Sequence, residues 1–202
     1  MKHRIQLDLP LRAVASQTTN SDPSKLRVAI VAESFLPHVN GVTNSVLRTL
    51  EHLSLGGHEA MVIAPGPGPD SVNGIPVVRV GSVGFPGYSE LRIAIPRRQI
   101  ESELRNFAPD VVHVAAPAVL GAFALRATRK LDIPSVAIYQ TDLAGFARQY
   151  RLGATSSTVW KYIAAVHNSA DLTLAPSSSA VWDLRRHGVN NVVRWMRGVD
   201  TE

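Results

Sequence analysis

Leu26-Arg27-Val28-Ala29-Ile30-Val31-Ala32-Glu33, then Ser34-Phe35-Leu36-Pro37-His38-Val39-Asn40-Gly41, then a periodic run from Val42 to Leu53, is the stretch that decides the fold of this 202-residue chain. An unbroken apolar run rich in Val and Ile suits a strand buried on both faces, as when helices cover each side of a parallel sheet. Leu26 to Ala32 therefore reads as a central strand. Beyond Gly41, residues Val42, Val46, Leu47, Leu50 and Leu53 fall on one side of a 3.6-residue period, and Gly56-Gly57 supplies the stop. The intervening loop meets a helix N-terminus, where unpaired N–H groups and a partial positive charge receive anions. Gly41 lets a ligand approach the backbone there and equally suits a plain turn, so one glycine does not decide between the two.

No G-x-G-x-x-G follows the strand; Glu33, Phe35 and Pro37 stand in that place, which disfavours a dehydrogenase. With 45% hydrophobic residues the chain builds one core of ordinary domain size. It has no Cys, which removes thiolate metal sites and cysteine nucleophiles. The net charge of +5 is scattered rather than run together, so nucleic acid is not indicated, while anionic small molecules or lipid headgroups are compatible with it.

Residues 1–25 read as a disordered arm ending in a polar cluster, and Asp8, Pro10 and Arg12 interrupt any secretory signal. Further strands are predicted at His58 to Ala64, Ile75 to Val80 (an edge strand, from Pro76), Val111 to Val114, Ser135 to Tyr139, Asp171 to Ala175 and Asn191 to Trp195. Helices alternate with them at Arg97 to Phe107, Ala118 to Leu131, Ser156 to Ser169 (Val159, Tyr162, Ile163 and Val166 inward) and after Ser177. Gly81 to Pro96, broken by Gly and Pro, reads as an adaptable surface loop. The alternation is that of an α/β doubly wound parallel sheet, Rossmann-like, over residues 26–197.

Ligands of such sheets bind beyond the carboxyl ends of the strands. Four segments lie there: Glu33 to Gly41, His113 to Pro117, Gln140-Thr141-Asp142, and Pro176 to Ser179. Gln140 and Asp142 follow a strand directly; Asp142 also suits a helix N-cap. His113 alternates with valines, as a hydrogen-bonded core histidine would. No paired metal-ligand spacing and no G-x-S-x-G elbow occurs.

The run from Val28 to Val42 resembles the opening of the retaining GT-B glycosyltransferases of family four. Asp110-Val111-Val112-His113-Val114, Pro134-Ser135-Val136-Ala137, Tyr139-Gln140-Thr141-Asp142, Leu174-Ala175-Pro176-Ser177 and Arg197-Gly198-Val199-Asp200 are similar in order and spacing. The resemblance is to actinobacterial GDP-mannose-dependent α-mannosyltransferases of glycolipid synthesis, of the phosphatidylinositol mannoside type. It implies the N-terminal, acceptor-binding half of a GT-B architecture, with residues 198–202 opening an interdomain hinge and the donor domain absent, hence inactivity alone. It further implies a nucleotide-sugar donor, GDP-mannose, with no metal; Gly41 and Asn40 at the donor diphosphate; Glu33 and His113 in the acceptor cleft; and Gln140 and Asp142 at the catalytic position. Many relatives have His where Gln140 stands, and Gln is no acid or base at neutral pH, so no general-base role is assigned to it. A lipid-linked or polyprenyl-type acceptor follows, with the protein cytoplasmic and peripheral at the inner face of the plasma membrane. Arg92, Arg97 and Arg98 would then meet an anionic membrane surface. A non-catalytic sugar-binding, nucleotide-binding or docking module of the same fold is the alternative.

Overall fold

The computed structural model describes residues 25–85, 88–95, 99–140 and 156–195. β1 (Arg27–Ala32) is central, pairing in parallel with β2 (Glu59–Pro65) on one side and β7 (Val111–Ala115) on the other. Ala29 and Val31 face the helices α2 (Gln99–Phe107) and α3 (Val119–Leu131), while Val28 and Ile30 face α1 (Gly41–Leu55). Both sides of the strand are thus covered, and Ala29 to Ala32 have no exposed surface. Each large side chain so buried contributes about 1.5–3 kcal/mol, which is why the run carries no polar residue before Glu33.

β4 (Ile75–Val80) continues the parallel sheet beyond β2. It is not the edge: a two-residue β3 (Ser71–Val72) covers it antiparallel, pairing Ser71 with Pro76. On the other side of β7 the order runs through β8 (Ser135–Ile138), β9 (Leu172–Ala175) and β10 (Val192–Arg194), all parallel. The chain moves outward in one direction as far as β4, then returns to β7 and moves the other way. The crevice where the order reverses therefore opens between the carboxyl ends of β1 and β7. Helices α4 (Ser156–His167) and α5 (Ser178–Arg186) connect β8 to β9 and β9 to β10. Ser177 caps α5, its hydroxyl accepting from the Ala180 N–H at 3.1 Å.

The segment expected to be an adaptable loop is a β-hairpin, β5 (Ser82–Phe85) with β6 (Tyr88–Ala94). Ser82 fixes it: its hydroxyl donates to the Gly66 carbonyl and accepts from Arg92 Nε at 2.8 Å, and Arg92 Nη2 donates to the Ser82 carbonyl at 3.2 Å. Glycine and proline break the alternation of the segment and so hide a ladder that pairs Ser82 with Ala94 and Val83 with Ile93. Within α4, Ile163 and Val166 are buried as expected, but Tyr162 is 44% exposed.

His167, at the end of α4, is fully enclosed; its Nδ1 lies 3.2 Å from Thr173 Oγ1 and its ring meets Tyr139 edge-on at 5.6 Å. Burial holds its pKa at about 4. The unfolded chain takes up this proton first, so the stabilisation is complete above the ordinary value of 6.5 and is lost as pH falls from there through about 4. The loss is on the order of 3 kcal/mol. Denaturant midpoints measured from about pH 7 to about pH 4.5 should fall, and His167→Gln should make that slope shallower; an equal slope in both proteins would contradict this origin.

Candidate functional site

Asn40 is the N-cap of α1: its side-chain oxygen accepts from the N–H groups of Val42 and Thr43, each at 3.0 Å. Its amide donates to Ser34 Oγ at 2.8 Å, closing the loop that follows β1. The resemblance places Asn40 at a bound diphosphate; its side-chain oxygen is taken up by the start of the helix. The cap is neutral and no acidic residue stands in the first turn, so the positive end of the α1 dipole keeps its charge. Gly41 begins the helix, its φ lies outside the left-handed region, and a Cβ there would meet nothing within 4 Å. Neither backbone strain nor packing within the chain requires glycine at this position.

Glu33 leaves β1 at the switch point and reaches the other helix there. Its Oε1 accepts from the N–H of Ala118 at 2.7 Å and of Gly121 at 2.8 Å, at the N-terminus of α3. Ala118 is the N-cap residue and offers no side-chain cap, so a carboxylate 85 residues earlier in the chain takes that part. Burial pushes the Glu33 carboxyl above the ordinary carboxylate range, opposed by the N–H groups of Gly121, Ala118 and Leu120. At Gly121 a Cβ would come within 2.6 Å of Pro117 Cβ and 2.7 Å of Val114 Cγ1, so glycine is what lets α3 sit this close to β7. Tyr162 completes the corner by donating its hydroxyl to the Ala118 carbonyl at 2.9 Å. Burial and then the charge of Glu33 raise its pKa.

His113 lies on β7 between Ile30 of β1 and Val136 of β8, two residues short of the strand end. Desolvation holds its pKa at about 4, so the imidazole is neutral at about pH 7, and the residue is half-buried. Gln140 stands half-buried just past the end of β8. Asp142, Arg97 and Arg98 lie outside the described residues. Arg79, which no motif in the sequence singles out, brings a cation to the same edge: Nε donates to Pro69 O at 2.8 Å and Nη1 to Pro65 O at 3.1 Å, with the guanidinium 5.8 Å from the centre of the Phe35 ring. A recess of about 690 Å³ between α1 and β3, lined by Leu47, Arg48, Glu51, Val72 and Ile75, lies against the far edge strand and away from the crevice. Among the described residues no three His, Cys, Asp or Glu gather as metal ligands, and no helix is long and apolar enough to cross a membrane.

A doubly wound sheet with its polar residues collected at the switch point is the Rossmann-like unit of GT-B glycosyltransferases. A glycosyltransferase from Rickettsia africae matches 87% of the chain with a TM-score of 0.55 at 16% identity, over 44% of its own length. MurG from Acinetobacter baumannii matches 88% with a TM-score of 0.55 at 12% identity, over 46% of its length. The chain belongs to Glycosyltransferase Family 4, whose model matches residues 39–202. It is 50% identical over 182 residues to a GDP-mannose-dependent α-mannosyltransferase of Corynebacterium glutamicum and 51% identical over 181 residues to one of Mycolicibacterium smegmatis. These alignments cover 88% and 87% of the chain but 44% and 48% of the relatives, so the chain spans about half their length.

The open space at Gly41 makes a stability prediction. Gly41→Val should fold with a stability within about 0.5 kcal/mol of the parent, because the side chain enters solvent. Asn40→Ala should cost about 1 kcal/mol for the lost cap. Thermal or denaturant melts that ranked the two substitutions in the opposite order would contradict the placement.

Proposed function

We propose that this chain forms the acceptor-binding half of a retaining α-mannosyltransferase that takes mannose from GDP-mannose. The observation that carries the reading is the pair of helix N-termini at one crevice. That of α3 is neutralised by Glu33, whereas that of α1 has a neutral cap and a glycine that the chain itself does not need. A diphosphate leaving group is favoured at the second and disfavoured at the first. With the Val42 and Thr43 N–H groups held by Asn40, the anion would meet the helix dipole and the open backbone at Gly41. The donor GDP-mannose is taken from the printed names of relatives about half identical to this chain. Transfer without a metal rests on the family resemblance.

Electrostatic stabilisation of a leaving diphosphate needs preorganised groups around it, and we place the remaining donors in the part of the relatives that this chain does not span. The 202 residues alone should therefore show no transfer of radiolabelled mannose from GDP-mannose. In a chain extended to the relatives' full length, Gly41→Val should lower transfer by at least a hundredfold while the fold persists, on the scale of losing one such stabilising contact. Transfer by the 202 residues at the rate of a full-length relative would sink the half-enzyme reading.

The acceptor is proposed to be a membrane glycolipid, with the β5–β6 hairpin region at the bilayer surface. Val83 and Ile95 are half exposed there, as shallow insertion needs. Arg92 is tied to Ser82, so the headgroup contacts would fall on Arg97 and Arg98, at about 1 kcal/mol each. In co-sedimentation with anionic vesicles, Arg97→Glu with Arg98→Glu should remove binding while Arg92→Lys leaves it largely intact. Equal binding by the double variant would move acceptor delivery to another surface.

A further inference from the structure

Glu33 has two carboxylate oxygens, and the helix uses one. Oε1 takes both the Ala118 and Gly121 N–H groups, and the Leu120 N–H also favours the carboxylate; among the described residues no hydrogen bond of normal geometry reaches Oε2, which is not sealed from solvent. A carboxylate fixed in this way cannot swing to find a partner, so its second oxygen offers a preorganised hydrogen-bond acceptor at the corner of β1 and α3. Tyr162 stands close enough to feel that charge, and its hydroxyl is held on the Ala118 carbonyl, so its ring is fixed in place with 44% of the residue exposed. An acceptor oxygen near a fixed, partly exposed aromatic ring suits a pyranose ring, which presents hydroxyl donors at its rim and apolar C–H groups on its face.

We propose that Glu33 Oε2 and the ring of Tyr162 form a subsite for one pyranose ring of the acceptor, a ring hydroxyl donating to Oε2 while the sugar face lies against the phenol. This deepens the glycosyl-transfer reading and rests on it. Glu33 thereby has two parts to play: Oε1 builds the wall and Oε2 binds the sugar.

Glu33→Gln separates the two parts. The amide oxygen still accepts from Ala118 and Gly121, while the atom facing the crevice changes from an acceptor to a donor. The probe is methyl α-D-mannopyranoside, titrated into isotope-labelled protein and followed by NMR. In the parent, the Glu33 side-chain carboxyl carbon and the amides of Ala118 and Gly121 should shift. In Glu33→Gln the affinity should fall about tenfold or more, the scale of one hydrogen bond to a charged group, with the thermal midpoint and the Ala118 and Gly121 resonances kept. Tyr162→Ala should weaken binding as well. If the parent carboxyl carbon does not respond to the sugar, or if Glu33→Gln binds it as tightly as the parent, the subsite is wrong. The first of these outcomes holds even where the variant does not fold. Mannose transfer by the extended chain with Glu33 silent to the pyranoside would overturn the subsite and leave the transferase reading standing.

Discussion

The bond from the Glu33 carboxylate to the first turn of α3 is the constraint on which the crevice depends. A helix start leaves four N–H groups without partners, and α3 begins after Pro117-Ala118, which provide no oxygen for them. Glu33 supplies it from the end of the most deeply buried strand. The arrangement is costly by desolvation, as the raised pKa records, and is offset by charge-assisted bonds and the helix dipole. Its geometric consequence is that β1, β7 and α3 share one corner. Gly121 permits the approach and Tyr162 extends the corner to α4.

That corner also makes the two sides of the crevice unlike. The α1 terminus is capped by an uncharged amide and begins with a glycine facing open space, whereas the α3 terminus already holds an anion. An anion is thus favoured at the α1 terminus over the α3 terminus. Two substrates of opposite chemistry, an anionic leaving group and a hydroxyl nucleophile, are what glycosyl transfer brings together. Membership of Glycosyltransferase Family 4 agrees with this division.

Much of the fold was legible because it is written in short-range periodicity. The run from Val28 to Ala32 has no polar residue since both its faces are covered, and α1 shows its stripe since Val46 and Leu50 reach the same core. The strand-helix alternation then gives the parallel order and the switch point. What sequence could not give are contacts made across long separations. Glu33 was placed in the cleft, but its partner lies 85 residues away; the missing cap at Ala118 was the signal that a foreign oxygen must reach α3. Asn40, which the resemblance places at the diphosphate, also has the residue type and position of an N-cap, and that is the part its oxygen takes. The hairpin over Ser82 to Ala94 is hidden because glycine, proline and a register shift at Gly84 to Phe85 break its alternation. Nor could alternation alone separate Ile75–Val80 from an edge strand, because the two residues of β3 that cover it are too few to show a pattern.

The central claim is that the crevice carries one open and one occupied anion site, and inorganic pyrophosphate titrated into the uniformly labelled chain tests it without any sugar or partner. The amides from Asn40 to Thr43 should shift, with Gly41 moving most, while Ala118 to Gly121 stay in place because Glu33 already fills that terminus. Shifts centred on Ala118 to Gly121 with Gly41 unmoved would contradict the account.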